Sequence, residues 1–210
     1  MKIIAALTDA ADASRAEGLG ADIIELRLDL MDGDPQELVR TCRQLSPLPV
    51  IATLRSVQEG GRYGGDAGGW LDTMAPVIPL ADYVDVEQKF SVHAHAVRES
   101  GKRTIASFHT GEMPTLPELF ALERHLRTFG DIVKIIVTPA SEAGLIDLIT
   151  FTHAVSQPLC TGVMGERFRY ARAILPLFGS ELAYCTVGRG TAAGQYSVTE
   201  FKELMRLLSG

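Results

Sequence analysis

Residues 116–137 read LPELFALERHLRTFGDIVKIIV, and the two halves of this stretch obey different rules. Over 116–129, Leu119, Phe120, Leu122, Leu126 and Phe129 recur at the spacing that gathers side chains on one face of an α-helix. Residues 132–137 are apolar and rich in β-branched side chains around a single lysine, too short for a helix and well suited to a strand. The same unit repeats in both directions. Short β-branched runs stand at 2–7, 22–28, 50–54, 83–86, 104–108, 132–137, 158–163 and 182–185, separated by amphipathic stretches such as 35–45. In that stretch Leu38, Val39 and Leu45 supply the apolar face, Asp34 the N-cap and Pro35 the first helical position.

Strands alternating with helices require a parallel sheet covered on both faces, and eight such units favour closure into a (β/α)8 TIM barrel. An open doubly wound sheet would call for a Gly-rich phosphate turn after the first strand, where LTDAADASRAEG stands instead. No linker or composition shift divides the chain, so the expectation is one α/β domain over 1–210. The fold typically takes about 250 residues. A 210-residue barrel must therefore be compact, with tight connections at its bottom face.

Composition narrows the partners. Lys+Arg is 20 against 26 Asp+Glu, a net charge of -6 that lacks the basic excess needed for nucleic acid. No apolar run approaches the roughly 20 residues that span a bilayer, and the start is too short for a secretory signal. A cytoplasmic protein without membrane or nucleic-acid partners is expected. Cys42, Cys160 and Cys185 are odd in number and lack zinc or CxxC spacing, which reads as reduced core thiols.

Strand side chains alternate between faces, so residues two apart share one. Glu25 with Arg27, Thr53 with Arg55, Asp85 with Glu87 and Ser107 with His109 are such pairs, all at the carboxyl ends of their strands. In a parallel barrel those ends form the mouth where active sites sit. Solvation of strand ends would explain any one pair, but four pairs converging point to a site. Lys134 is sharper still. It is flanked by apolar residues in a strand that a closed barrel leaves without an edge, and lysine is rarely buried without a partner or a task. One reading is an ion pair with Glu25 or Glu87. The other is an amine used for covalent catalysis, activated by the nearby arginines Arg27 and Arg55.

His109 shares the mouth and has the ordinary basicity of an acid–base group. His93 and His95 point apart on a helical stretch, His125 and His153 lie on helix faces, and no metal-binding cluster is present. The chemistry should need neither metal nor cofactor. Two Gly-rich loops follow the third and eighth strands, VQEGGRYGGDAGG and TVGRGTAAGQYS. The first permits close backbone approach or mobility, and the second has the glycine hinges of a lid.

These residues resemble the type I 3-dehydroquinases, Schiff-base dehydratases. The resemblance rests on ELRLD at 25–29, TLRSVQEGG at 53–61, DYVDVE at 82–87, SFH at 107–109, VKIIVTP at 133–139, MG at 164–165, FGS at 178–180 and AAGQ at 192–195. It implies a (β/α)8 barrel, a homodimer, and dehydration of 3-dehydroquinate in the shikimate pathway. It implies Lys134 as the Schiff-base lysine, His109 as general acid and base, and Glu59 as the carboxylate orienting that histidine. Glu25, Arg27, Arg55, Arg172, Thr191 and Gln195 fall on substrate-binding positions. Thr191 replaces the serine common in the family, and Ala193 replaces a proline of the lid. Two alternatives remain open at this point: a Schiff-base aldolase of the transaldolase or deoxyribose-phosphate type, and a non-catalytic barrel that binds a polyhydroxy acid.

Overall fold

In a computed structural model, which describes residues 1–188 and 190–208, every anticipated run is a strand within one residue of its expected bounds. These are β1 (Lys2–Leu7), β2 (Ile23–Arg27), β3 (Val50–Thr53), β4 (Tyr83–Glu87), β5 (Arg103–His109), β6 (Ile132–Val137), β7 (Leu159–Val163) and β8 (Leu182–Thr186). All ladders are parallel, in the order β7-β6-β5-β4-β3-β2-β1-β8. Chain neighbours are thus spatial neighbours, and β1 returns to β8. The barrel closes less completely than expected. Among the described residues no regular ladder joins β7 to β8. The seam is held instead by Glu181 N–H donating to the Leu159 carbonyl (2.8 Å) and by the Ser180 hydroxyl. That hydroxyl accepts from Thr161 N–H and donates to the Thr161 carbonyl, both at 3.1 Å.

Short helices make the small barrel possible. Beside the longer α2 (Pro35–Leu45), α5 (Leu116–Arg127), α6 (Glu142–Ala154) and α8 (Val198–Leu208) stand the brief α1 (Ala13–Leu19), α3 (Ala67–Met74), α4 (Ala94–Glu99) and α7 (Ala171–Ile174), several extended by 3-10 turns. The sequence dictates the starts. Asp34 caps α2, accepting from Glu37 N–H at 3.0 Å, with Pro35 first in the helix. Thr115 and Glu118 form a capping box on α5. The helix anticipated over 116–129 ends at Arg127, because the Thr128 N–H turns back to the His125 carbonyl and Phe129 packs sideways on the core.

Inside the barrel, alternation sorts the side chains by height. Ile4, Ile23, Ile51, Ile105, Ile132, Cys160 and Leu182 form one buried cluster that plugs the interior. Each isoleucine removed from water contributes roughly 1.5–3 kcal/mol. Two residues further along β2, β3, β5 and β6 stand Glu25, Thr53, Ser107 and Lys134, so the plug ends where the polar layer begins. The three cysteines are free and buried, as expected, and burial pushes their thiols up to about 11 at Cys42 and about 12 at Cys160 and Cys185. His93 stacks on Trp70 and His95 bonds the Val92 carbonyl, on the outer helices.

Candidate active site

The four polar pairs do not project into solvent. Glu25, Arg27, Thr53, Arg55, Asp85, Glu87 and Ser107 are buried, and only His109 is half-buried. Solvated strand ends therefore fail as an explanation. Lys134 is 3% exposed, and both its neighbours β5 and β7 are laddered to β6, so it has no edge from which to reach water. Its Nζ lies 3.1 Å from Asp85 Oδ2 and 3.5 Å from Glu25 Oε1, which also accepts from the Thr53 hydroxyl at 2.9 Å. Of the two partners anticipated, Glu25 is present and Glu87 is not. The strand stagger turns Glu87 to Arg55 at 3.1 Å and brings Asp85 to the lysine.

Arg55 is the hub of the layer. One guanidinium nitrogen donates to Glu87, to the Ser107 hydroxyl (3.0 Å) and to Glu59 (3.2 Å), while the other donates to Asp85 at 2.8 Å. Arg27 is held in a bidentate pair with Asp29 at 2.8 and 2.9 Å. Asp29 also accepts the backbone N–H groups of Arg55 and Arg62, tying the end of β2 to the loop after β3. Both arginines anticipated as activators of Lys134 are thus matched by carboxylates of their own.

That loop carries Glu59 on a 3-10 turn (Val57–Glu59) followed by Gly60 in the left-handed region. Its glycines serve close approach: a Cβ on Gly61 would stand 2.2 Å from the Arg55 carbonyl oxygen, a position only glycine tolerates. The turn delivers Glu59 Oε2 to 2.8 Å from His109 Nδ1, and the same oxygen accepts the His109 backbone N–H at 3.1 Å. An oxygen that accepts from Arg55 and from a peptide N–H suits a carboxylate, with Nδ1–H as a third donor and Nε2 left as the base. Burial pushes Glu59 up to about 8, with Arg55 opposing, and a proton gained by His109 adds a second adjacent cation that favours the ionised carboxylate. Burial, followed by the charges of Arg55, Lys134 and Arg27, holds His109 well below its usual 6.5. The imidazole is therefore neutral and ready to accept a proton.

The opposite wall comes from β7, β8, α7 and the loop after β8. Arg172, at α7, donates to the Ala193 carbonyl at 3.2 Å, while its buried Nε has no partner among the described residues. Thr191 donates through both backbone N–H and hydroxyl to Gln195 Oε1, at 3.1 and 3.0 Å. Glu25, Arg27, Arg55, Glu59, His109, Lys134, Arg172, Thr191 and Gln195 all line one cavity of about 140 Å³. The sequence places Asp85 among the polar pairs at the mouth but does not pair it with the lysine, and it gives no role to Asp29 on Arg27 or to Tyr184, whose ring centroid is 3.9 Å from Lys134 Nζ. Alternation along β8 would have exposed Tyr184 as inward, one place above Leu182 on the same face.

A parallel barrel that buries a lysine amine in one cavity with a His–Glu pair is the framework of a lysine-dependent barrel enzyme. A family model described as type I 3-dehydroquinase matches residues 5–210. The 3-dehydroquinate dehydratase of Methanoregula boonei is 60% identical over 209 residues, covering 100% of both chains. That of Methanospirillum hungatei is 40% identical over 209 residues, covering 100% of this chain and 82% of its own. The crystal structure of 3-dehydroquinate dehydratase from Aquifex aeolicus matches with a TM-score of 0.86 and 27% identity, covering 99% of this chain and 98% of that one. The chain belongs to the type I 3-dehydroquinase family.

Proposed function

We propose that this chain removes water from 3-dehydroquinate to give 3-dehydroshikimate, by syn elimination through a Schiff base on Lys134, within the shikimate pathway of aromatic amino acid biosynthesis. The observation that carries this reading is that Lys134, the His109–Glu59 pair and Arg172 line a single cavity. Arg172 suits the substrate carboxylate, because its unpartnered Nε and the guanidinium plane offer a bidentate grip. Lys134 attacks the ketone, and the protonated imine that results draws electrons from the adjacent carbon. His109 Nε2 removes the C2 proton and then returns it to the departing hydroxyl. Glu59 holds the ring in the required tautomer and supports its cationic form. Hydrolysis of the imine releases product. Glu25, Arg27, Arg55, Thr191 and Gln195 bind the hydroxyls and ring from the cavity walls.

Intact mass after borohydride with 3-dehydroquinate tests the reading. A covalent adduct on Lys134 is expected. Trapping by an aldehyde or ketone sugar phosphate alone would turn the assignment to an aldolase, and trapping by no ketone would leave a binding barrel. No helix among the described residues is long and apolar enough to cross a membrane. A single cytoplasmic barrel domain over 1–210, acting as a homodimer, completes the proposal on the strength of the family resemblance. Sedimentation at equilibrium reads the dimer directly.

A further inference from the structure

The Lys134 ammonium stands between a carboxylate and an aromatic face. Asp85 Oδ2 is 3.1 Å from Nζ, and the Tyr184 ring centroid is 3.9 Å away. The carboxylate is rigidly held: Oδ2 also accepts from Arg55 at 2.8 Å, and Oδ1 accepts from the Ser107 hydroxyl at 2.5 Å. None of the steps above uses Asp85, although its side chain is 1% exposed and touches the reacting nitrogen. We propose that Asp85 is a catalytic residue, the counter-ion that keeps the Lys134 nitrogen protonated once it has become an imine, with the Tyr184 ring as a second surface for the cation. This rests on the Schiff-base reading above.

Once the imine has formed, the charge on nitrogen changes twice before hydrolysis. The Nζ lone pair forms the C–N bond, the carbonyl oxygen takes two protons and leaves as water, and the nitrogen retains one hydrogen and a positive charge. When His109 takes the C2 proton, the C–H electron pair becomes a C=C bond and the C=N pair returns to nitrogen, which is then neutral. Loss of the hydroxyl as water, on the proton from His109, restores the cation. An unprotonated imine would be a poor electron sink in the first step. A fixed carboxylate and a π face both favour the charged form. Arg55 shares the same carboxylate oxygen, so the attraction is damped and the nitrogen still draws electrons.

Other groups facing the nitrogen are Glu25 on β2, at 3.5 Å, and Cys160 on β7, its register neighbour. Arg55 acts through Asp85 from beyond β3, and His109 with Glu59 closes the side toward the mouth. Glu25 is a second anion, but it is farther away and also accepts from Thr53. Asp85 is the nearer carboxylate. Burial alone would raise it, yet Arg55 and Lys134 overcome this and hold it at about 2.

Infrared spectroscopy of the adduct formed by His109→Ala with 3-dehydroquinate tests the proposal, since a protonated C=N stretch shifts in D2O and a neutral one does not. The band is expected to remain D2O-sensitive at pH 9. In His109→Ala/Asp85→Asn the sensitivity should vanish at a pH at least one unit lower. A neutral imine at pH 7 in the first variant, or superimposable profiles in the two, would overturn Asp85 as counter-ion. If Asp85→Asn does not fold, Asp85→Glu keeps the charge and should retain the band to pH 9; loss of the band there would be equally fatal. Failure of borohydride to trap 3-dehydroquinate on Lys134 in the parent chain would instead sink the Schiff-base reading itself.

Discussion

His109 and Glu59 meet twice: ring Nδ1 lies 2.8 Å from Oε2, and the His109 backbone N–H donates to that oxygen at 3.1 Å. A carboxylate so placed fixes both the rotation of the ring and the position of the strand end that bears it. Replacement by a carboxamide leaves the size unchanged but removes the charge that supports imidazolium. Glu59→Gln should lower kcat by roughly ten- to a hundred-fold, below the full range of acid–base catalysis, with little change in KM. Steady-state kinetics check this, and an unchanged kcat would remove Glu59 from the orienting role.

Removing the imidazole has a different signature. Attack by an amine on a ketone needs only modest proton help, whereas C2 deprotonation and imine hydrolysis need a placed base. His109→Ala should therefore stall after the covalent step and accumulate an adduct visible by intact mass without reductant. A variant that shows neither adduct nor a large fall in turnover would exclude His109 from the mechanism.

Lys134 cannot be removed without structural consequence, because Asp85 and Glu25 would lose their shared cation. Breaking a buried pair from one side costs about 3–5 kcal/mol. Arg55 still holds Asp85, so Lys134→Met, which nearly conserves volume, should fold with a lowered Tm. Its turnover should fall by several orders of magnitude and borohydride labelling should vanish. Labelling that survives in this variant would place the nucleophile elsewhere.

Much of this site is readable from alternation alone. In a parallel barrel the inward parity of a strand fixes which side chains meet at the mouth, and that is why Glu25 with Arg27 and Ser107 with His109 stand out from sequence. Cross-strand partnership is a different matter. Whether Asp85 or Glu87 reaches Lys134 depends on stagger between β4 and β6, two strands apart, and no local pattern encodes it. Tyr184 is half legible: alternation in LAYCT puts it on the inward face with Leu182, but nothing local says that its ring covers the lysine. The glycines after β3 read equally as mobility or close packing until Gly61 is found against the Arg55 carbonyl.

Two buried groups lose a stabilising contribution in acid, His109 first and Asp85 later, while Glu59, pushed up to about 8 by burial, works in the opposite sense over the upper window. His109 is held well below 6.5 by burial and nearby cations, so below that pH the unfolded chain binds a proton that the folded chain refuses. Its contribution is complete above about 6.5 and declines as the pH falls beneath it. Asp85 is held at about 2 against an ordinary 3.8, so its contribution is complete above 3.8 and is lost as the pH falls through about 2. Tm profiles of the parent and His109→Ala should therefore converge between pH 6.5 and 4, and both should drop further below 4. A constant gap between the two profiles over the upper window would refute the assignment to His109.

The loop over residues 187–196 is the last element to test; Arg189 of this segment lies outside the described residues. Thr191, Ala192, Gln195 and Tyr196 line the cavity, and Gly194, with φ of +73°, packs so closely that a Cβ would meet the Gly165 carbonyl oxygen at 2.6 Å. The loop also rests on Arg169 and Arg172 through the carbonyls of Gly194 and Ala193. A polyhydroxy substrate is best held where water is excluded, so this cover should close on ligand and exchange amide hydrogens faster without it. Gln195 points its amide oxygen at Thr191, which leaves its NH2 as the group for the substrate. Gln195→Ala should raise KM with a moderate loss of kcat, because it removes a binding contact and not the chemistry. Ala193→Pro should favour the closed loop if φ there is near −65°, since proline narrows the open ensemble. Equal hydrogen exchange of 187–196 with and without a substrate analogue would mean that this loop is no lid.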